Sequence, residues 1–452
     1  MTAPASPFVV AGGGAAGLLA ALTAAAAGVD VLVLEKDLRR GCNAEFSGGL
    51  VQGAGTRFQE AAGIDDSPAT LLADILRQNR GRCDPAIAGL VADRSRDVVH
   101  TLADTVGLDL HIDAVEYSGH SVRRLHCTPA ETGKELITGL RSYVRALDRV
   151  SFVDAAEVVD VQVADDGALD VVVRRGGTGH DQLRARHVLL ATAGFGANRA
   201  LLRRHIGDAA ADSHFIGSEN STGAGLEIGL RLGAGTAYLT AYEGHSHLNP
   251  KYGTRLGGAL PALGSIIVGA DGRRFAREDV PNSGFAAALA RRPGGRGIEI
   301  FDEPIHLQAL ANGAYAEAFS VGAVTIFATL EELADAFGLP AAALAEEVER
   351  YNAAVDGPCW LGRADVRPRL RPPYYASAVT SGLVHTQGGL TIDTAARVVR
   401  TGGEPIPGLL AAGGAAAGIS GDGPDTYLSG NGLAHAFATG LVAAETVVAA
   451  LA

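Results

Sequence analysis

The segment DTYLSGNGLAHA, residues 425–436, places a phenol and a hydroxyl directly before a predicted helix. Tyr427 and Ser429 stand on a glycine-rich turn, where the backbone N–H groups of a helix start can bind an electron-rich group. A tyrosine hydroxyl has an ordinary pKa of about 10, so it can hydrogen-bond an enolate or, once activated, act as a base. These residue types predict a site that can polarise a carbonyl and move a proton beside it.

The N-terminal segment FVVAGGGAAGLLAALTAAAAGVDVLVLEK joins an apolar strand, a glycine pattern, an alanine-rich helix and a second strand. Gly12 allows a tight turn, Gly14 lets the backbone approach a pyrophosphate, and Gly17 lets the helix pack against the strand. Glu35, at the end of the second strand, can accept hydrogen bonds from a ribose diol. The order of these parts predicts a dinucleotide site of the Rossmann type. Its predicted contacts also include Ala15, Ala16 and Lys36.

Later glycine-rich segments indicate which dinucleotide is bound. An NAD enzyme is expected to continue with regular βαβ units, but here the second strand leads into the long polar loop KDLRRGCNAEFSGGLVQGAG. The segments RHVLLATAGFGAN, NSTGAGLEIGLRLGA and EPIPGLLAAGGAAAG follow, and they favour a flavin dinucleotide over NAD. The alternative, an NAD-linked dehydrogenase, requires these later glycine turns to be coincidental. The further residues predicted to bind the cofactor are Asn43, Ala44, Ser47, Gly48, Gly49, Val158, Thr192, Ala193, Gly194, Asn198, Gly223, Gly225, Gly413, Gly414, Gly430, Asn431, Gly432 and Leu433.

Composition narrows the class of protein. The 452 residues predict two to three domains, and the net charge of −12 argues against nucleic acid as a partner. We find no apolar run of the roughly 18 residues that span a bilayer and no secretory signal, so we expect a cytoplasmic protein without membrane insertion. No CxxC pair is present, which predicts reduced thiols and neither a disulfide framework nor a metal site. The four cysteines are Cys42, Cys83, Cys127 and Cys359.

Taken in order, these motifs resemble the FAD-dependent fumarate reductase/succinate dehydrogenase flavoprotein superfamily, and within it the 3-ketosteroid dehydrogenase-like branch. The resemblance covers nearly the whole chain and includes GADGRRFARED, PPYYASAV, HTQGGLTIDTAARVV and YLSGNGLAHAFATGLVAAE. It implies an α/β fold in which a Rossmann-like FAD-binding domain, residues 1–240 and 371–452, carries an inserted α+β capping domain at 241–370. Within that insertion, TLEELADAFGLPAAALAEEVERYNAA (329–354) predicts two helices separated at a Leu-Pro pair.

Departures from the family pattern bear on the substrate. By spacing, Asn282 and Tyr427 stand where fumarate reductases keep a proton-donating and a carboxylate-binding arginine, whereas His385 keeps a substrate-contacting histidine. Each charge-assisted hydrogen bond to a carboxylate contributes about 1.5–3 kcal/mol, so the loss of both arginines disfavours a dicarboxylate. CNAEFSGG lacks the histidine that would link FAD covalently, which implies non-covalent FAD. The Tyr-x-Ser-Gly pattern is similar to that of the branch that dehydrogenates ketosteroids at the 4,5 position.

We therefore predict an FAD-dependent oxidoreductase that desaturates, or in reverse reduces, a carbon–carbon bond next to the carbonyl of a cyclic ketone or ketosteroid-like small molecule. Flavin N5 would exchange hydride with the substrate while Tyr427 acts as acid/base, and the electron acceptor is unknown. Ser429 would support the tyrosine, His385 would contact substrate, and Tyr117 in the loop 116–133 is a further catalytic candidate.

Two other functions stay open. The first is a reductase or dehydrogenase of an unsaturated carboxylic acid, which would use Arg123 or Arg124 in place of the missing arginines. The second is a flavin-binding subunit that only passes electrons to a partner protein. The intact FAD motifs and the full capping segment favour a chain with its own substrate pocket over such a subunit.

Simpler roles stay open for single residues as well. Tyr427 could only stack at the flavin edge, Ser429 could only cap the following helix, and His385 could be an ordinary loop histidine. His245 and His247 lie two apart on a predicted strand and so share a face. No acidic or cysteine partner follows them nearby, which favours a substrate-lining or cap-entry role over a metal site.

Overall fold

The computed structural model describes residues 5–176, 179–257, 260–280, 282–364, 369–423 and 425–452, which form two compact units. The first unit contains the chain up to Asp113, then Ser121–Tyr242 and Val384–Ala452. The second contains Ala114–His120 and Glu243–Leu383. The sequence predicts an inserted domain at 241–370. The second unit instead ends inside a strand and also takes a short segment from the N-terminal part of the chain.

The first unit is organised around a parallel sheet. The strands of the first unit, in all its sheets, are β1 (Ser6–Ala11), β2 (Val31–Leu34), β3 (Val51–Gln52), β4 (His111–Ile112), β5 (Leu125–Cys127), β6 (Val150–Val153), β7 (Ala156–Val163), β8 (Leu169–Arg175), β9 (Gly179–Leu190), β10 (His214–Phe215), β11 (Thr236–Ala237), β17 (Gly389–Leu390), β18 (Arg397–Val399) and β19 (Pro405–Ala411). The eight-stranded sheet has the order β18-β19-β9-β1-β2-β6, and β8 joins β9 to β7. Strands β19, β9, β1, β2 and β6 are parallel to one another, as a dinucleotide-binding fold requires, whereas β18 and β8 pair antiparallel with β19 and β9.

The first unit also contains the α-helices α1 (Ala15–Ala26), α2 (Arg57–Ala61), α3 (Pro68–Asn79), α4 (Pro85–His100), α5 (Gly133–Arg145), α6 (Arg199–His205), α7 (Asp208–Ala211), α8 (Ala224–Arg231) and α15 (Asn431–Leu451). Of these, α1, α5, α8 and α15 pack against the eight-stranded sheet. Alanine has the highest helix propensity and adds little bulk, so the alanine-rich α1 and α15 can pack closely. Their backbones approach so tightly at Gly440 that an added Cβ would lie 2.3 Å from the carbonyl oxygen of Ala16.

The helix α15 corrects one inference from the sequence. We expect no apolar run long enough for a bilayer, but among the described residues α15 has both the length and the composition of a membrane-spanning helix. In the structure 67% of its apolar window is buried inside the protein. The core helix of a globular unit has the same properties, so this feature is weak evidence for membrane insertion.

The second unit is α+β. Its strands are β12 (Tyr242–Leu248), β13 (Ile266–Val268), β14 (Arg296–Asp302), β15 (Thr325–Phe327) and β16 (Tyr374–Thr386), of which β16 continues into the first unit. Its helices are α9 (Leu260–Leu263), α10 (Asn282–Ala290), α11 (Glu303–Ala309), α12 (Gly313–Ser320), α13 (Leu330–Phe337) and α14 (Ala341–Ala353). The predicted helix pair with a Leu-Pro break is confirmed as α13 and α14.

Candidate active site

The turn after β1 has the tight backbone packing that a phosphate-binding loop needs. Gly12 has a φ of +112°, and an added Cβ there would lie 2.3 Å from the carbonyl oxygen of Ala191. An added Cβ at Gly17 would lie 1.9 Å from the carbonyl oxygen of Gly12. Gly14, the N-cap of α1, faces more open space, with the nearest side-chain atom of Cys42 3.5 Å from an added Cβ. Backbone can therefore approach a ligand at Gly14 while the turn stays rigid around it.

Glu35 fixes this turn from the end of β2. Its Oε2 accepts a hydrogen bond from the N–H of Gly13 at 2.7 Å, and its Oε1 accepts one from the N–H of Asp37 at 3.1 Å. The side chain is buried, with only 8% of the residue exposed. The carboxylate thus lies beside the glycine turn, where a dinucleotide ribose is expected in this fold.

A second group of glycine loops packs backbone to backbone beside β9. An added Cβ at Gly194 would lie 2.2 Å from Oγ1 of Thr386, and one at Gly414 would lie 2.7 Å from the N atom of Gly194. The hydroxyl of Thr386 accepts a hydrogen bond from the N–H of Phe195 at 3.1 Å. These contacts leave no room for a side chain at Gly194 or Gly414, so at these two positions the loops present only backbone to a ligand.

The first of these loops is also tied to the start of α8. The hydroxyl of Thr192 accepts a hydrogen bond from the N–H of Gly225 at 3.1 Å, and an added Cβ at Gly225 would lie 2.3 Å from that hydroxyl. Ala193 has the left-handed φ of +60°, and Gly223, the N-cap of α8, has +83°. The sequence-predicted residues of this region therefore form one connected surface.

Two predicted cofactor residues use their side chains to hold the protein itself. The Oδ1 of Asn43 accepts hydrogen bonds from the N–H of Ser218 at 2.8 Å and from the hydroxyl of Ser221 at 3.0 Å. Asn198 caps α6 by accepting from the N–H of Ala200, and its amide donates to the carbonyl oxygen of Thr222 at 3.0 Å. The side chains of both asparagines therefore hold loops in place. Residue type alone does not distinguish this role from direct contact with the cofactor.

The same holds for Lys36 and Ser47. The ammonium of Lys36 forms an ion pair with Glu157 at 2.9 Å. The hydroxyl of Ser47 donates to the carbonyl oxygen of Ala44 at 2.7 Å and so shapes the polar loop before β3. The other predicted cofactor residues lie in the first unit on the glycine turn, on the loop before β3, on β7, and around the N-terminal half of α15. They are Ala15, Ala16, Ala44, Gly48, Gly49, Val158, Gly413, Gly430, Asn431 and Leu433.

Tyr427 and His385 come together in the first unit although they lie far apart in sequence. Their rings meet edge to face with centroids 5.8 Å apart. The phenolic oxygen of Tyr427 accepts a hydrogen bond from the N–H of Gly432, in the first turn of α15, at 3.2 Å. Tyr427 is 9% exposed, His385 is partly buried, and Ser429 lies partly buried on the turn between them and α15. The predicted pair is thus brought together at a helix N-terminus.

The other candidates lie elsewhere. Tyr117 belongs to the segment Ala114–His120, which is part of the second unit. Asn282 is the first residue of α10, and its side chain lies outside the described part of the structure. Arg124 is buried and forms ion pairs with Asp66, at 3.0 Å, and with Asp74. A substrate carboxylate would have to compete with both aspartates for Arg124, whereas these aspartates do not engage the partly buried Arg123.

His247 has an acidic partner that is distant in the sequence. The sequence offers no acidic partner nearby, but β14 brings one from 52 residues away: Nδ1 of His247 lies 2.8 Å from Oε2 of Glu299. The hydroxyl of Ser265 donates to the other carboxylate oxygen at 2.7 Å. All three residues are buried in the second unit. Beside them, burial and the neighbouring His247 hold the pKa of His245 well below its usual range.

Sequence reasoning also missed Gln52. Its side-chain amide donates to the carbonyl oxygen of Ser429 at 2.7 Å and to Oδ1 of Asn431 at 3.0 Å, which fixes the start of α15. Its Oε1 is buried and has no hydrogen-bond partner among the described residues. A buried polar atom without a partner is uncommon, and a ligand with an N–H or O–H group would satisfy it. The only sequence signal is one amide in the apolar run LVQG.

Two groups in this region, the buried His435 and the partly buried Cys42, are uncharged at neutral pH. Burial lowers the pKa of His435 to about 4. Burial, with Glu45 adding to it, raises the pKa of the Cys42 thiol to about 12. These two side chains therefore contribute no charge beside Glu35 and the ion pair of Lys36 with Glu157.

The close-packed glycine loops, the open face of Gly14 and the unsatisfied Oε1 of Gln52 fit an extended dinucleotide that carries a polar ring system. With the parallel sheet, they define a dinucleotide-binding flavoprotein. Residues 8–433 match the family described as FAD binding domain, and the chain belongs to this family. FAD as the cofactor and the α/β FAD-binding fold are thereby confirmed.

The chain is similar to a probable fumarate reductase from Shewanella frigidimarina, with 28% identity over 97% of this chain and 74% of that protein. Its structure is similar to the open conformation of a flavocytochrome c3 fumarate reductase, with a TM-score of 0.82 and 27% identity over 99% of this chain and 79% of the other. It is also similar to the 3-ketosteroid-Δ4-(5α)-dehydrogenase of Rhodococcus jostii RHA1 in complex with 4-androstene-3,17-dione, with a TM-score of 0.78 and 26% identity over 99% and 98% of the two chains.

These relatives confirm the predicted fumarate reductase/succinate dehydrogenase flavoprotein superfamily with its ketosteroid dehydrogenase-like branch. They also confirm the predicted class of enzyme, an FAD-dependent oxidoreductase.

Proposed function

We propose that this flavoprotein desaturates, or in the reverse direction reduces, a carbon–carbon bond next to the carbonyl group of a neutral cyclic ketone, and that it holds FAD non-covalently. When bound, FAD supplies the hydride acceptor or donor for such a reaction. Tyr427 acts as the acid/base that moves the proton, His385 contacts the substrate, and Ser429 supports the turn that carries Tyr427.

The observation that carries this proposal is the 3.2 Å hydrogen bond from the N–H of Gly432 to the phenolic oxygen of Tyr427. Gly432 lies in the first turn of α15, where N–H groups have no intrahelical partner and carry positive partial charge. This environment stabilises the negative charge that develops on the phenolic oxygen when its proton moves. A neutral carbonyl substrate needs such an acid/base, but it does not need the permanent cation that a carboxylate needs.

His385 is oriented by its own backbone. Its Nδ1 lies 3.2 Å from the carbonyl oxygen of Thr386, and its Nε2 lies on the side of Gly432. The carbonyl oxygen can only accept, so Nδ1 carries the hydrogen when this bond is formed and the neutral ring presents Nε2 as an acceptor. A ketone oxygen can also only accept, so such a ring contacts the substrate by packing rather than by a hydrogen bond from Nε2.

Non-covalent binding is supported by the chemistry of the polar loop before β3. CNAEFSGG contains no histidine, and its one thiol, on Cys42, is protonated at neutral pH because burial raises its pKa. A protonated thiol is a poor nucleophile toward a flavin methyl group. We expect acid precipitation of the purified protein to release all of its flavin into the supernatant, and flavin retained in the pellet would contradict this part of the proposal.

The test of the reaction compares Tyr427→Phe with Tyr143→Phe, which removes a partly exposed hydroxyl from α5. Flavin bleaching is followed after anaerobic mixing with cyclohexanone and with a 3-ketosteroid, and reoxidation of the reduced flavin with cyclohexenone and with fumarate. We expect Tyr427→Phe to keep its flavin and to lose about 10²-fold or more in rate with the ketones or enone. Tyr143→Phe should react like the wild type. An unchanged rate in Tyr427→Phe would refute the assignment of Tyr427 as the acid/base.

A second function has one observation in its favour. The similar Shewanella protein is named a probable fumarate reductase, and Arg123 is not held by the buried aspartates that engage Arg124. In that case reduced flavin should be reoxidised by fumarate and not by cyclohexenone, and Arg123→Gln should raise the fumarate concentration needed for half the maximal rate. Reoxidation by the enone alone would exclude this alternative.

A further inference from the structure

Three metal-ligating side chains converge at one edge of the small sheet formed by β3, β5 and β4 in the first unit. They are His111, Cys127 and Glu131, and their ligand atoms all lie within 4.8 Å of one another. The Sγ of Cys127 lies 3.4 Å from Nε2 of His111. The imidazole is exposed, the carboxylate is partly buried and the thiol is buried, so an ion could enter from the solvent side of His111.

Local folding explains the convergence. The antiparallel register of β4 and β5 places His111 directly opposite Cys127, and opposite residues on paired strands project to the same face. The chain then turns after β5, with a hydrogen bond from the N–H of Glu131 to the carbonyl oxygen of Thr128. Glu131 has a left-handed φ of +50°, which brings its side chain back toward the end of β5. The three ligands thus come from two strands and a turn.

The separation matches a tetrahedral ion. Zn²⁺ lies about 2.3 Å from a thiolate sulfur and about 2.0–2.1 Å from an imidazole nitrogen, so a tetrahedral angle places these two ligands about 3.5 Å apart. A set of one thiolate, one imidazole and one carboxylate suits Zn²⁺, whereas Ca²⁺ and Mg²⁺ prefer oxygen ligands alone. The distance of 3.4 Å between sulfur and nitrogen therefore requires little movement on binding.

We propose that His111, Cys127 and Glu131 bind one Zn²⁺ ion, with water as the fourth ligand. Binding replaces the thiol hydrogen of Cys127 with a sulfur–zinc bond and releases the proton to solvent. The ion joins the two strands that flank residues 114–120 in the chain, and it takes no part in the flavin reaction. The sequence predicts no metal site because it contains no CxxC pair. That prediction misses this cluster, since strand register and not local spacing brings the three ligands together.

The test uses the flavin-loaded protein, freed of metal with a chelator and then titrated with Zn²⁺ or Co²⁺. We expect one equivalent of either ion to bind, and Co²⁺ to produce a thiolate-to-cobalt charge-transfer band. Glu131→Gln and His111→Ala should weaken zinc binding by more than about 100-fold, since even an outer-shell partner of a ligand contributes about 10- to 100-fold. Cys127→Ser should abolish the charge-transfer band.

Matched controls are Cys83→Ser, at another buried cysteine, and His180→Ala, at another exposed histidine. Both should bind the ion like the wild type. Flavin absorbance and the melting temperature report whether each variant is folded. Glu131→Gln and His111→Ala change side chains that solvent reaches, so these variants can still test the proposal if Cys127→Ser unfolds. No cobalt band in the wild type, or wild-type zinc affinity in Glu131→Gln and His111→Ala, would overturn the proposal.

Discussion

Replacing Gly432 with alanine places one methyl group directly between the two side chains of the candidate site. The added Cβ would lie 2.9 Å from Nε2 of His385, 3.1 Å from its Cε1 and 3.4 Å from the phenolic oxygen of Tyr427. Favourable contacts between such atoms are about 3.5–4.0 Å long, so the imidazole has to move by roughly 0.5–1 Å. A misplacement of about 1 Å at a reacting centre can cost about 10²-fold in rate.

The fold itself should tolerate this substitution. Gly432 lies in α15, and alanine is favoured over glycine in a helix by about 0.8–1.0 kcal/mol, which offsets part of the local strain. We therefore expect Gly432→Ala to keep its flavin and a melting temperature close to that of the wild type. Its flavin reduction by the ketone that reacts with the wild type should slow by about 10- to 100-fold in anaerobic stopped-flow measurements.

Gly89→Ala in α4 is the matched control. An added Cβ there meets only a leucine methyl group at 3.9 Å, an ordinary contact, so this variant should gain stability and keep its full rate. Wild-type rates of flavin reduction in Gly432→Ala would refute the placement of the reacting centre beside His385 and Tyr427. Loss of flavin from Gly432→Ala would instead refute the expectation that the methyl group acts only on the side chains.

Three further predictions concern packing and electrostatics and are tested by urea denaturation. In Gly440→Ala the new methyl group meets the backbone of Ala16 at 2.3 Å, so α1 and α15 must separate and the unfolding free energy should fall by about 1–3 kcal/mol. Arg124→Met removes the buried ion pair of Asp66 and leaves Asp74 only its ion pair with Arg77, so it should cost about 3–5 kcal/mol. The neighbouring Arg123→Met should change stability by less than about 0.5 kcal/mol, and equal effects would contradict the buried ion pairs. Burial lowers the pKa of His435 to about 4 in the folded protein, below the ordinary value of about 6.5 that applies in the unfolded chain. As the pH falls, the unfolded chain therefore binds a proton at His435 before the folded protein does. The free energy of unfolding should fall by about 2 kcal/mol through this residue between pH 7 and pH 5. His435→Leu should remove that part of the pH dependence, and an unchanged slope would show that the ring is not held neutral.

The sequence predicts those parts of the fold whose signals are local. The strand, glycine turn and helix from β1 to α1 follow from residues only a few positions apart, and so do the two helices separated at the Leu-Pro pair. The turn before α15 is also visible locally, since its glycines and polar residues precede a long apolar helix. In each of these segments the spacing of side chains and the backbone requirement agree.

The parts that the sequence does not predict depend on contacts between distant segments. Asn43 has the residue type of a cofactor contact, but a loop far along the chain, at Ser218, uses its side-chain oxygen. Glu299 reaches His247 only because β14 lies in the same sheet as β12. Ala114–His120 belongs to the second unit, although its sequence neighbours belong to the first. Nothing in a single sequence encodes such pairings directly.

The two hydrogen bonds of Glu35 have a consequence for how the apoprotein binds its cofactor. Each carboxylate oxygen has two lone pairs, and the N–H groups of Gly13 and Asp37 use one on each oxygen. The remaining lone pairs can accept two ribose hydroxyls without breaking either bond. The glycine turn after β1 is therefore ordered before the cofactor binds, so the entropic cost of ordering this turn does not reduce the affinity for the cofactor. An apoprotein made by mild removal of flavin should keep this turn folded and recover FAD in a single rapid phase.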